Sequence, residues 1–284
     1  MPTHDFDPGP ASAKFRDLVR SYPGPEAYPA DLFRVEWGPI FYRGRLDGSA
    51  RVLVIGQDPG QHESIGRRCM IGEAGQRVQG FLRKLGITRS YVIVNAFLYS
   101  VFGRASNAER ALFEPKIVPY RDKWFDALLL GDSKVDAVIA FGDEAKNAFT
   151  AWRGPESSPK VEVEYAGLRH PTYPEGSGKP GAMEEMLAAW NEALPKLRNA
   201  VSTPDEAPDT TPYGTDLEDA DKAQIPERDM PPGTPPIMFS LKTWASREHL
   251  LADDAEDKRK DEEKRATIVV KIRRPERPWT PLDE

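Results

Sequence analysis

Apolar positions along this chain follow two periods. Four short runs rich in β-branched side chains, Arg51 to Ile55, Tyr91 to Val94, Val135 to Phe141 and Val161 to Tyr165, have the length and composition of strands. Between them apolar residues recur three and four apart: Val78, Phe81, Leu82 and Leu85, then Tyr120, Trp124 and Leu128, then Ala145, Phe149 and Trp152. That spacing puts each set on one face of a helix. Met183, Met186, Leu187, Trp190, Leu194 and Leu197 mark a last amphipathic helix. Strand alternating with helix predicts an α/β fold of three layers, α/β/α. Its centre is a mostly parallel four-stranded sheet joined by right-handed crossovers and flanked by helices. A helix around Phe15, Leu18 and Val19 and an extended segment from Phe33 to Tyr42 are expected against the same core.

These elements place a single domain over residues 1–200. From Val201 to Pro236 the chain is rich in Pro, Thr and Asp and poor in large apolar residues, so it reads as an extended linker. Residues 237–284 read as a charged C-terminal extension that docks on the core or stands apart from it. Its features are two strand candidates, Ile237 to Leu241 and Thr267 to Ile272, around the charge run Asp253 to Arg265.

Charge changes the picture once it is divided along the chain. The net −6 hides 13 basic against 20 acidic residues in 201–284, and 9 basic against 4 acidic in 51–110. The acidity belongs to the C-terminal part, and the stretch that carries the motifs is locally basic, which permits a nucleic-acid partner. A single cysteine, Cys69, excludes a disulfide framework and any cluster held by several thiolates. The expectation is therefore no metal and no cofactor, in a reducing, cytoplasmic setting. The N-terminus lacks a signal pattern and no apolar run is long enough for a bilayer, so no membrane partner is expected either.

Candidate chemistry gathers where the strands end. Gly56-Gln57-Asp58-Pro59-Gly60-Gln61 follows the first strand, Asn95 ends the second, Gly142-Asp143 ends the third, and Arg169-His170-Pro171-Thr172-Tyr173 follows the fourth. In an open α/β sheet, ligands bind in the crevice outside the carboxyl ends of the strands. All of these groups are expected on one rim.

VLVIGQDPGQ resembles the first motif of the uracil-DNA glycosylase superfamily, and RHPTYP resembles its second, a His-Pro loop that closes on the DNA minor groove. GRRCMIGEAGQRVQGFLRKLGI followed by YVIVN is similar to the iron–sulfur branch, and the resemblance runs from Arg51 to Leu197. It implies an enzyme that removes uracil from DNA and leaves an abasic site, with uracil-containing and abasic DNA as partners. No lysine falls in VLVIGQDPGQ, YVIVN or RHPTYP to serve as an amine nucleophile, so a monofunctional enzyme is expected, and a monomer.

Residue by residue, the resemblance makes Asp58 the carboxylate that positions water and His170 the electrophile toward O2 of the base. Gly56 and Gln57 would lie against the base, Asn95 would read its Watson–Crick edge, and Glu63 would wall off C5. Thr172 and Tyr173 would probe the minor groove, and Arg67, Arg68 and Arg169 would supply phosphate contacts. The chemistry suits those residue types: an Asn amide matches the O4 acceptor and N3–H donor of uracil, a His can meet charge developing on O2, and an Asp can orient water.

The chain departs from the superfamily pattern at three places. Gly60 stands where the commonest branch has the Tyr that excludes thymine, Met70 or Cys69 stands where a Phe stacks on the base, and the four cluster cysteines are absent. Other substrates remain open on this reading, hypoxanthine or a mismatched base among them, as does a protein that holds uracil or abasic sites with little turnover.

Overall fold

The computed structural model describes residues 5–102, 105–241, 243–249 and 268–272. Its elements in chain order are α1 (Ala13–Arg20), β1 (Phe33–Arg34), β2 (Arg43–Gly44), β3 (Val52–Gly56), α2 (Gln61–Gly66), α3 (Glu73–Lys84), β4 (Tyr91–Asn95), β5 (Ser100–Val101), α4 (Val118–Leu129), β6 (Ala137–Phe141), α5 (Asp143–Arg153), β7 (Glu164–Leu168), α6 (Tyr173–Ser177), α7 (Ala182–Ala200), β8 (Ala245–His249) and β9 (Ile268–Ile272). The main sheet has the order β2-β4-β3-β6-β7, with only β2 antiparallel. It has five strands where periodicity predicts four, because a two-residue edge strand leaves no alternation to read.

The sheet is apolar on both faces, as a sheet covered by crossover helices must be. Leu53, Ile55, Val92, Val94, Val138 and Ala140 point to one side, where Phe15, Trp124, Phe125, Phe149 and Trp152 pack from α1, α4 and α5. Val52, Val54, Tyr91, Ile93, Ala137, Ile139 and Phe141 point to the other, against Val78, Phe81 and Leu82 of α3 and Met186, Leu187 and Trp190 of α7. The last main-sheet strand lies at Glu164–Leu168 rather than Val161 to Tyr165, because Val161 and Val163 pack on the core before pairing starts.

Residues 201–236 hold no strand or α-helix, yet the segment lies along the core. Asp205 Oδ2 accepts the backbone N–H groups of Thr88, Arg89 and Ser90 at 2.8 to 2.9 Å ahead of β4. Tyr213 packs edge-on against Trp190, with centroids 5.3 Å apart. Asp229, fully buried, pairs with Arg43 at 3.2 Å and Arg45 at 2.6 Å, and the Tyr91 hydroxyl donates to it. Scattered single anchors hold this strap, so hydropathy along the chain reads it as a linker.

The expected strand Ile237 to Leu241 is instead a 3₁₀ turn, Pro236–Phe239, set by the fixed φ of Pro235 and Pro236. The partner of β9 is Ala245–His249, in an antiparallel pair apart from the main sheet. The charge run Asp253 to Arg265 lies outside the described residues. Among the described residues, no helix is long and apolar enough to cross a membrane.

Candidate active site

Parallel register aligns the carboxyl ends of the central strands: Gly56 faces Asn95, and Phe141 faces Leu168. β3 is flanked by β4 on one side and β6 on the other, so the chain reverses direction across the sheet here and opens a crevice. A cavity of about 710 Å³ fills that crevice, with Gln57, Asp58, Gly60, Glu63, Met70, Arg169, His170, Thr172 and Tyr173 on its walls. Nine of the fourteen residues expected in the site thus meet at one cavity.

The first loop is locked by its own backbone. Ala96 and Phe97 N–H donate to the Gly56 and Gln57 carbonyls at 2.9 and 3.0 Å, which extends the β3–β4 ladder past the strand ends. Asp58 Oδ2 accepts the Val101 N–H of β5 at 2.9 Å, so this carboxylate reaches the cavity already oriented. Glu63 closes the next turn: its Oε2 takes the Gly60 N–H at 2.9 Å, and its Oε1 takes those of Ile71 and Gly72 at 2.8 and 3.2 Å. Glu63 stands on the wall, but backbone donors occupy its oxygens.

His170 enters from the loop after β7. Thr172 N–H lies 3.3 Å from His170 Nδ1 and the Thr172 hydroxyl 3.0 Å from it. A backbone N–H can only donate, so Nδ1 accepts and the proton of the neutral ring sits on Nε2. Burial, and then the charge of Arg77, hold the His170 imidazole down to about 4 against the pull of Glu175. It is therefore a neutral donor at physiological pH.

Asn95 is placed differently from the rest. It is only 8% exposed, and neither its Oδ1 nor its Nδ2 has a hydrogen-bond partner among the described residues. Its amide presses on the Cα of Gly56, where a Cβ would overlap Oδ1, and the Met70 methyl flanks the same point. Met70 lines the cavity and Asn95 does not.

Gly56, at the end of β3, does not line the cavity either, and three further expected residues lie elsewhere. Cys69 is fully buried in the core on the α3 side, where desolvation pushes its thiol up, and it does not face the cavity. Arg67, in the left-handed region at φ 60°, donates to the carbonyls of Trp37 and Pro39 at 2.8 and 2.7 Å. Arg68 pairs with Asp7 at 2.9 Å and stacks on Tyr42. Both guanidinium groups tie down neighbouring loops and stand off the cavity. Arg169 remains on the rim, stacked on Tyr173 at 4.4 Å and paired with Glu185 at 2.7 Å.

The walls also include residues that no motif marked. His62 of α2 is one: its Nε2 accepts the Ala245 N–H at 3.3 Å, and its ring meets the edge of Trp244 with centroids 4.7 Å apart. Burial lowers its pKa against the pull of Glu63 and Glu73. Glu144, at the start of α5, is buried with its carboxyl raised by desolvation. Thr243 arrives from the C-terminal extension. For His62 and Glu144 the signal was proximity to the strand ends; Thr243 had none. No group of three or more His, Cys, Asp or Glu stands ready for a metal ion among the described residues.

A family model for the uracil DNA glycosylase superfamily matches residues 43–194. The chain belongs to that superfamily. The match spans β2 to α7 and so contains the loops that carry Asp58, Asn95 and His170. Membership supports DNA glycosylase activity, and with it a DNA partner. A comparison with curated proteins gave no match.

Proposed function

We propose that this superfamily member is a monofunctional uracil-DNA glycosylase, which hydrolyses the N-glycosidic bond of deoxyuridine in DNA and leaves an abasic site. The observation that carries the reading is a neutral His170 and a backbone-anchored Asp58 on one cavity at the sheet's crossover. A flipped base enters the cavity, Met70 packs on its ring, and the Asn95 amide pairs with O4 and N3–H. As the C1′–N1 bond breaks, its electron pair passes to the base. The His170 Nε2–H then meets the charge on O2, while Asp58 faces the cationic sugar, orients the water that bonds to C1′ and takes the proton that this water releases. Thr172, Tyr173 and Arg169 sit on the rim where the duplex would lie.

A second reading keeps the chemistry and changes the base. Gly60 leaves that wall without a side chain, and about 710 Å³ has room for a purine such as hypoxanthine. The deciding assay is base release from labelled oligonucleotides carrying uracil, hypoxanthine or thymine, single- and double-stranded, with enzyme limiting. Repeated turnover on uracil alone supports the proposal. Preference for hypoxanthine supports the second reading, and binding of uracil DNA without turnover would leave a binding protein.

A further inference from the structure

Arg77 lies within α3, one residue before the apolar face formed by Val78, Phe81 and Leu82, and its side chain is 3% exposed. Its guanidinium reaches away from the core toward the His170 loop. Nη1 donates to the Pro171 carbonyl at 2.7 Å and to Glu175 Oε2 at 3.2 Å. Nη2 donates to Glu175 Oε1 and to Glu73 Oε1, each at 2.5 Å. Pro171 directly follows His170, and Glu175 lies in the first turn of α6, so one planar fork grips the loop on both sides of Thr172 and Tyr173. Only a guanidinium offers donors in that fixed geometry.

We propose that Arg77 is a positioning residue for His170, fixing from a separate helix the loop that aims the imidazole at the departing base. The inference rests on the glycosylase reading, since it assumes that His170 is the group that matters to the chemistry. Stability alone is a poor account of the cluster: Glu73 and Glu175 are 43% and 50% exposed, and pairs with half-solvated carboxylates add little. Fixing a loop adds far more to catalysis, because misplacement of a reacting group by an ångström can slow a reaction about 100-fold. The charge works in the same direction. The positive charge of Arg77 disfavours an imidazolium at His170, with Glu175 opposing it, so the clamp also keeps the ring a neutral donor.

The test is a double-mutant cycle on the full chain. Arg77→Met, Arg77→Lys and Glu175→Gln are each made alone and with His170→Ala. Single-turnover release of uracil from an oligonucleotide is followed from about pH 4 to pH 8. Arg77→Met is expected to slow excision roughly 10- to 100-fold, with an acid limb at higher pH than in the wild type, and to have less than a roughly twofold effect when His170 is already Ala. Arg77→Lys should keep the acid limb and still be slow, because an ammonium cannot span Pro171 and both carboxylates.

Equal slowing in both backgrounds would overturn the positioning role and leave the glycosylase reading intact. Undiminished excision by His170→Ala would overturn both. Should Arg77→Met fail to fold, Glu175→Gln carries the same cycle, since half of that side chain is in solvent; an effect that persists without the imidazole again refutes the role.

Discussion

Asn95 is predicted to trade stability for base recognition. Its amide is buried with neither Oδ1 nor Nδ2 partnered among the described residues, and a buried polar group in that state costs about 1–3 kcal/mol of folding free energy. Asn95→Ala removes that penalty and leaves a hole of three heavy atoms, roughly 40 Å³, worth about 1 kcal/mol at the usual cavity rate. The difference leaves the variant between unchanged and about 2 kcal/mol more stable, whereas truncation of a satisfied buried amide destabilises. Excision should fall by about 100-fold or more, because the groups that discriminate the base edge are gone.

Urea unfolding with and without free uracil, alongside excision kinetics, measures both sides. A ligand at 100 times its Kd stabilises by about 2.7 kcal/mol, so free uracil should protect the wild type and not Asn95→Ala. Destabilisation by more than about 1 kcal/mol would mean that the amide is structurally satisfied, and equal protection by uracil would mean that another residue reads the base.

Asp58→Asn retains an oxygen to accept the Val101 N–H, so it should fold normally while excision slows by about 100-fold or more; near-wild-type kcat would remove Asp58 from the chemistry. His170 titrates near 4 in the folded chain and near 6.5 when unfolded. The unfolded state therefore binds the extra proton first, and stability that is full above about pH 6.5 should fall by about 3 kcal/mol as pH drops to about 4. Denaturant titrations of wild type and His170→Ala at both ends of that window check this, and an equal loss in the two proteins would contradict it. Asp229→Ala strands a fully buried Arg43 and should destabilise by about 3–5 kcal/mol, read as a fall in the unfolding midpoint; a neutral effect would mean that the Asp229 pairs do not hold residues 201–236 to the core. Buried Cys69, its thiol raised by desolvation, should resist iodoacetamide until the protein is unfolded in urea.

Strand and helix periods, and the polar residues at strand ends, are legible in the sequence, because both are local. A run such as VLVIG must be buried on both faces, and in a parallel sheet its C-terminal end must open onto a loop crevice. Gln57, Asp58, His170, Thr172 and Tyr173 meet at one cavity for that reason. The facing direction of each side chain within a loop was not legible. Adjacent Cys69 and Met70 carry the same apolar signal and join the same buried cluster, yet only Met70, in the left-handed region at φ 50°, also lines the cavity. Nor does charge say whether an arginine is free: Arg67 and Arg68 are spent on Trp37, Pro39 and Asp7, partners roughly 30 to 60 residues away along the chain.

Long-range pairing decided the rest. Asp229 with Arg43, Trp244 with His62, and Arg77 with Pro171 and Glu175 each join segments far apart in the chain. Such pairs leave no periodic trace, because the free energy that selects them exists only once the elements between have folded and brought them together.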